Sequence, residues 1–158
     1  MIPQRNPNGW SCLPTAFAMV LEIPVRAFVA MVGHDGSEIQ WPDCPEPLCR
    51  RGFHIQEMIR IAYRLGYTVT PYQSRPTLVS RKPGGGLTDP FHLPMQERFV
   101  REVMATSPGV LTGMTASGLG HAVAWDSDAV IDPRGGRTCP LDSCDLAIET
   151  FWRVIKSV

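Results

Sequence analysis

Residues 109–132 read GVLTGMTASGLGHAVAWDSDAVID, and their three apolar runs decide the architecture. Gly109-Val110-Leu111-Thr112-Gly113, His121-Ala122-Val123-Ala124-Trp125 and Ala129-Val130-Ile131-Asp132 are short and rich in β-branched or aromatic residues. Gly, Ser and Asp separate them, which is the pattern of successive strands. The last separator, Asp126-Ser127-Asp128, is short enough for a hairpin, so the second and third runs are predicted to pair antiparallel. Phe151 to Ile155 is predicted as a further strand.

Upstream of this stretch the pattern is helical. Residues 1–11 are polar and rich in Pro, Asn and Gly, which reads as a loop. A buried helix is predicted from Cys12 to Leu21, with Ser11 as its cap and Pro14 in its first turn. Pro24 opens a second helix, Val25 to Val32, which Gly33 can end. In His54 to Leu65 the apolar residues Ile55, Met58, Ile59, Ala62 and Leu65 recur at helical spacing before Gly66. Tyr67 to Thr70 is a strand candidate, and Met95 to Met104 a further helix. Helices first and strands later predict an α+β domain, an N-terminal helical part packed on a C-terminal antiparallel sheet. The 158 residues suffice for one domain, 1–158.

Composition narrows the function classes. Lys plus Arg and Asp plus Glu number 15 each, so the chain lacks the net positive charge of a dedicated nucleic-acid binder. No stretch approaches the roughly 18 apolar residues of a membrane span. The N-terminus shows no basic region followed by an apolar one, so a cytoplasmic location is the expectation. The 15 prolines and 14 glycines predict long, shaped loops. The five cysteines are too few for a disulfide scaffold and are expected as thiols, metal ligands or a nucleophile.

Cys12 is the cysteine whose context points to chemistry. It stands where the loop Asn8-Gly9-Trp10-Ser11 runs into a helix, and the helix dipole with its free N–H groups favours a thiolate there. A thiolate attacks carbonyls, and the same N–H groups can hold the oxyanion that results. His121 begins a core strand, a rigid mount for a general base. If the predicted hairpin forms, Asp132 lies near the His121 end and can orient the imidazole. The bland reading of each is a buried small hydrophobe, a histidine satisfied by backbone, and a turn-forming Asp-Pro.

Asn8-Gly9-Trp10-Ser11-Cys12-Leu13-Pro14-Thr15-Ala16-Phe17-Ala18-Met19-Val20-Leu21, with Gln4 upstream, resembles the nucleophile segment of papain-like cysteine peptidases. The nearest group is the double-glycine leader peptidases and their free-standing bacterial and phage relatives. Gly120-His121-Ala122-Val123-Ala124-Trp125 and Val130-Ile131-Asp132-Pro133 are similar to the histidine strand and following Asp-Pro of that group. The resemblance implies a papain-like fold and a Cys-His-Asp hydrolase without a cofactor, acting on a peptide or protein substrate through a thioester. It makes Cys12 the nucleophile, His121 the base, Asp132 the orienting acid and Gln4 the oxyanion donor. Ser11 and Leu13 depart from the acidic residue and glycine usual beside the nucleophile. Gln4 stands farther from Cys12 than the pattern calls for, and Asn6 or Asn8 could supply the amide instead. Trp10, Ser11 and Gly120 flank the nucleophile and the histidine and are the expected substrate-binding residues.

The other readings are an acyl transferase using the same Cys-His pair, and a non-catalytic module binding a peptide or protein in the same cleft. The four remaining cysteines form two pairs of equal spacing, Cys44 with Cys49 and Cys139 with Cys144. Four thiolates could hold a structural zinc, but the spacing is wider than the usual knuckle and plain thiols are preferred. The His34-Asp35-Gly36 segment is expected as a turn bordering the cleft, and Arg50-Arg51 as a place for an acidic group or as solvated arginines.

Overall fold

The computed structural model describes residues 1–39, 41–45, 51–74 and 93–157. The element order is α1 (Cys12–Val20), α2 (Val25–Val32), α3 (Ile55–Arg64), β1 (Tyr67–Gln73), α4 (Leu93–Met104), β2 (Gly109–Met114), β3 (Gly120–Trp125), β4 (Val130–Asp132), β5 (Arg137–Cys139), a 3-10 turn (Leu141–Ser143) and β6 (Ala147–Lys156). The chain is α+β, with an N-terminal helical part against an antiparallel sheet. The glycine-rich segment 82–86 lies outside the described residues.

The punctuation of the helices is local. Gly33 ends α2 at φ +96° and Gly66 follows α3 at φ +81°, conformations that a Cβ disfavours. At the start of α3, the His54 N–H donates to Glu57 Oε2 at 2.8 Å. The expected Ser11 cap of α1 does not form: the Ser11 hydroxyl donates back to Asn8 Oδ1, and Ser11 contributes only its carbonyl, which accepts from Thr15 N–H at 3.0 Å.

The sheet order is β1-β6-β2-β3-β4-β5, all neighbours antiparallel. The predicted hairpin forms between β3 and β4, pairing Ala124 with Ile131 and Trp125 with Val130. Asp126 closes its turn by accepting the N–H groups of Asp128 and Ala129 at 3.1 and 2.8 Å. Strand β1 runs past Thr70 through Pro71 to Gln73. Proline is tolerated there because β1 is an edge strand, so its missing N–H breaks no interior ladder.

Both faces of the sheet are covered. Phe17, Phe28, Met58 and Ala62 of α1–α3 pack with Val110, Ala122, Ala124, Ile131 and Val154. On the opposite face Val100 and Met104 of α4 cover Leu111, Val123, Val130 and Phe151. Alternate residues of β2, β3 and β4 therefore enter two different cores, which is why these strands read as continuous apolar runs. Trp125 lies in the second core, as expected, and its indole N–H donates to the Met104 carbonyl at 2.8 Å. Among the described residues no single helix is long and apolar enough to cross a membrane.

Candidate active site

Helix α1 lies against β3 in the first core, and this packing brings the two ends of the expected chemistry together. Cys12 is the first residue of α1 and His121 the second of β3. Both line a cleft of about 400 Å³, together with Trp10, Leu13, Phe53, Thr112, Met114 and Gly120. The Cys12 thiol faces the backbone N–H groups of Ala122, Leu13 and Cys12 itself.

His121 Nε2 stands 3.0 Å from Asp132 Oδ1. An ionised carboxylate only accepts, so Nε2 carries the ring proton and Nδ1 is left as the acceptor. Asp132 is itself held by the Arg134 N–H, which donates to Oδ1 at 2.8 Å. The hairpin register explains the meeting. Continued from Ala124–Ile131, it sets Asp132 beside Val123, two residues along from His121 and on the same side of the strand.

The electrostatics differ from the thiolate expected at a helix start. Burial pushes the Cys12 thiol above its ordinary value, outweighing the three N–H groups and the Arg134 charge, which act the other way. Burial also holds the His121 imidazole below its ordinary value, against the pull of Asp132. Both directions favour the neutral forms, a thiol and an imidazole. The helix-end argument considered the N–H groups alone, whereas partial burial of Cys12 opposes charge more strongly than they favour it.

Of the other expected site residues, Trp10 and Gly120 line the cleft. Ser11 does not: it is fully buried and its hydroxyl serves Asn8. Gln4 is also elsewhere. Its Nε2 donates to the Ile23 carbonyl at 2.8 Å and its Oε1 accepts the Val25 N–H at 2.7 Å, so its amide joins the loop to the start of α2. Asn8 is committed likewise, donating to the Asp35 carbonyl at 2.9 Å and accepting from Trp10 N–H at 3.0 Å. Asn6 Oδ1 is buried with no hydrogen-bond partner among the described residues, and the Asn6 N–H donates to the Pro133 carbonyl at 3.0 Å, one residue from Asp132.

The His34 segment borders the cleft as expected, through a chain of contacts. His34 Nε2 donates to Glu57 Oε1 at 2.7 Å and Nδ1 accepts the Gly36 N–H at 3.1 Å, which sets the tautomer. The ring stacks on Phe53, which lines the cleft, with centroids 4.9 Å apart. Gly36 has φ +77° and no room for a Cβ against the Phe53 ring. Arg51 lines the cleft with its guanidinium 6.0 Å from the Trp10 ring centroid. Sequence reasoning missed Arg134, whose charge acts on both Cys12 and His121, and Glu149, which lines the cleft.

Cys139 and Cys144 lie beside one another, and burial with the neighbouring thiol pushes Cys144 up to about 11. Cys49 lies outside the described residues, and among those described no group of three or more His, Cys, Asp or Glu could hold a metal ion.

Comparison with protein-family models and with curated protein sequences gives no match for this chain.

Proposed function

We propose that this chain is a papain-like cysteine hydrolase that cleaves a peptide or isopeptide bond through a thioester acyl-enzyme. One observation carries the reading: a cleft receives a thiol from a helix start and an imidazole from a strand, and the second ring nitrogen of that imidazole is bound by a carboxylate. Cys12 and His121 line the same cleft and Asp132 binds the imidazole, so a thiol, an imidazole and a carboxylate from α1, β3 and β4 stand in the sequence that thiol acyl transfer uses.

In this reading Cys12 gives its proton to His121 Nδ1 as Sγ attacks the carbonyl carbon. The oxyanion that forms is met by backbone N–H groups at the start of α1 and by the side-chain amide of Asn6. With the amides of Gln4 and Asn8 spent on the scaffold, Asn6, whose N–H is tied to the Pro133 carbonyl next to Asp132, is the nearby amide this reading assigns to the role. His121 then protonates the departing amine, and water attacks the thioester with His121 as base. In this reading the proton transfer follows substrate binding, when the developing oxyanion supplies the negative charge that the N–H groups receive; the raised thiol and lowered imidazole support that order.

The experiment is labelling and turnover with the Cys12→Ala variant. Wild type is expected to react with a thiol-directed electrophile that mimics a peptide, and Cys12→Ala to lose both this reaction and all peptide cleavage while unfolding at the same temperature. Undiminished labelling or cleavage by Cys12→Ala refutes the assignment. A product joined to an added amine, in place of a free carboxylate, would convert the reading to acyl transfer.

A further inference from the structure

The cleft carries one unlike charge on each wall, and the reaction proposed above uses neither. Arg51 stands with Trp10 and Phe53 on the helical side, and Glu149 with Thr112 and Met114 on the sheet side. Glu149 reaches this position through a break in strand register. Between β2 and β6, Thr112 pairs with Thr150 and Gly113 with Ile148, so Glu149 is the extra residue of a β-bulge. Such a bulge takes its residue out of the regular alternation and re-aims the side chain.

The bulge is built into the scaffold. Gly113 permits it, because a Cβ there would collide with the Ala147 carbonyl. Ser74 locks it, donating its N–H to the Glu149 carbonyl at 2.9 Å and its hydroxyl to the carbonyls of Ile148 and Glu149 at 2.6 and 3.1 Å. The Glu149 carboxylate has no ion-pair or hydrogen-bond partner among the described residues, and no other described carboxylate lines the cleft.

We propose that Glu149 selects substrates that carry a lysine or arginine side chain close to the bond that is cut. The proposal rests on the hydrolase reading for the word substrate, and on the bulge alone for recognition. An exposed carboxylate on a cleft wall, unpaired among the described residues, can form charge-assisted hydrogen bonds with a basic ligand. Arg51 repels a second cation from the opposite wall, which leaves the basic side chain one place to lie. His121, Gly113 and Ile148 share a row across the sheet. The bulge is therefore two strand spacings, roughly 10 Å, from the His121 backbone. An extended peptide advances roughly 3.3 Å per residue, so the basic side chain belongs about two or three residues from the scissile carbonyl.

The test uses a fluorogenic peptide library with a basic, neutral or acidic residue at each of the positions flanking the scissile bond. Wild type is expected to prefer a basic residue at one position by roughly ten- to a hundredfold in kcat/KM, the range of a charge-assisted hydrogen bond. Glu149→Gln should bring basic and neutral peptides within a few-fold of one another, and Glu149→Arg should turn the preference towards acidic ones. Binding of the same peptides to Cys12→Ala, with and without Glu149→Gln, is measured by fluorescence anisotropy at low and high salt. Discrimination in binding without any cleavage by wild type supports the Glu149 site and overturns the hydrolase reading. Equal treatment of basic, neutral and acidic peptides in both assays, or binding of none, overturns the Glu149 site whether or not bonds are cut.

Discussion

His121 and Asp132 meet at 3.0 Å, Nε2 to Oδ1, along a diagonal of the β3–β4 hairpin. The bond commits one ring nitrogen and leaves the other as an acceptor, so the carboxylate governs which tautomer reaches the thiol. Asp132→Asn keeps the shape and permits the wrong tautomer. Turnover of a peptide substrate by this variant is expected to fall by roughly 10²–10⁴-fold, with the melting temperature nearly unchanged. Activity within a few-fold of wild type would show that Asp132 serves only the turn.

The pH behaviour follows from the opposite shifts of Cys12 and His121. The thiol is raised above its ordinary value of 9.0, so its alkylation by a small electrophile in the free protein should keep rising above pH 9.0 and not level off near neutrality. The signs for stability follow by linkage. The raised thiol contributes stability that is present below pH 9.0 and lost as pH rises through its folded value. The lowered imidazole contributes stability that is present above pH 6.5 and lost as pH falls through its folded value. Urea unfolding of Cys12→Ala and His121→Phe across pH should remove the alkaline and the acid limb respectively. Alkylation that saturates below pH 8 would contradict the neutral pair.

Gln4 and Asn6 should separate cleanly. Gln4→Ala breaks two hydrogen bonds that tie the N-terminal loop to Ile23 and Val25, so it should cost about 1–2 kcal/mol in stability and leave kcat nearly intact. Asn6→Ala should instead lower kcat by roughly 10²-fold, the scale of one oxyanion donor. The reverse pattern would return the oxyanion role to Gln4.

Glu57 anchors one wall of the cleft. It is buried and accepts from His34 Nε2 and from His54 N–H. Glu57→Ala leaves both donors without a partner and should cost about 2–4 kcal/mol in urea unfolding. Because His34 stacks on Phe53, the same change should raise KM more than it lowers kcat. An unaltered KM would show that this wall does not touch substrate.

Local rules made much of this molecule legible from its residues. The α+β class, the β3–β4 hairpin, the cleft-bordering turn at His34 and the ends of α2 and α3 follow from apolar spacing and from glycine at positive φ, which are properties of neighbouring residues. The same rules pointed to Cys12, His121 and Asp132, because order along the chain and one hairpin suffice to bring the last two together. They stopped where position depends on distant packing. Ser11, Gln4 and Asn8 carry polar side chains in the segment leading to Cys12, and only the folded neighbourhood decides that their partners are Asn8, the start of α2 and the Asp35 carbonyl.

Two further features came from tertiary structure alone. Cys12 stands at a helix start, yet partial burial where α1 packs on β3 shifts its thiol upward against the pull of the helix N–H groups. Glu149 lies on a strand whose alternation says nothing of a cleft; the register slip opposite Gly113 carries it there. Sequence by itself determined which groups can do chemistry, since that depends on atoms present in each residue and on short-range geometry. Tertiary structure decided how burial shifts Cys12 and His121 and which polar groups are spent on scaffold. It also decided which face the cleft, because desolvation and strand register are set by residues far apart in the chain.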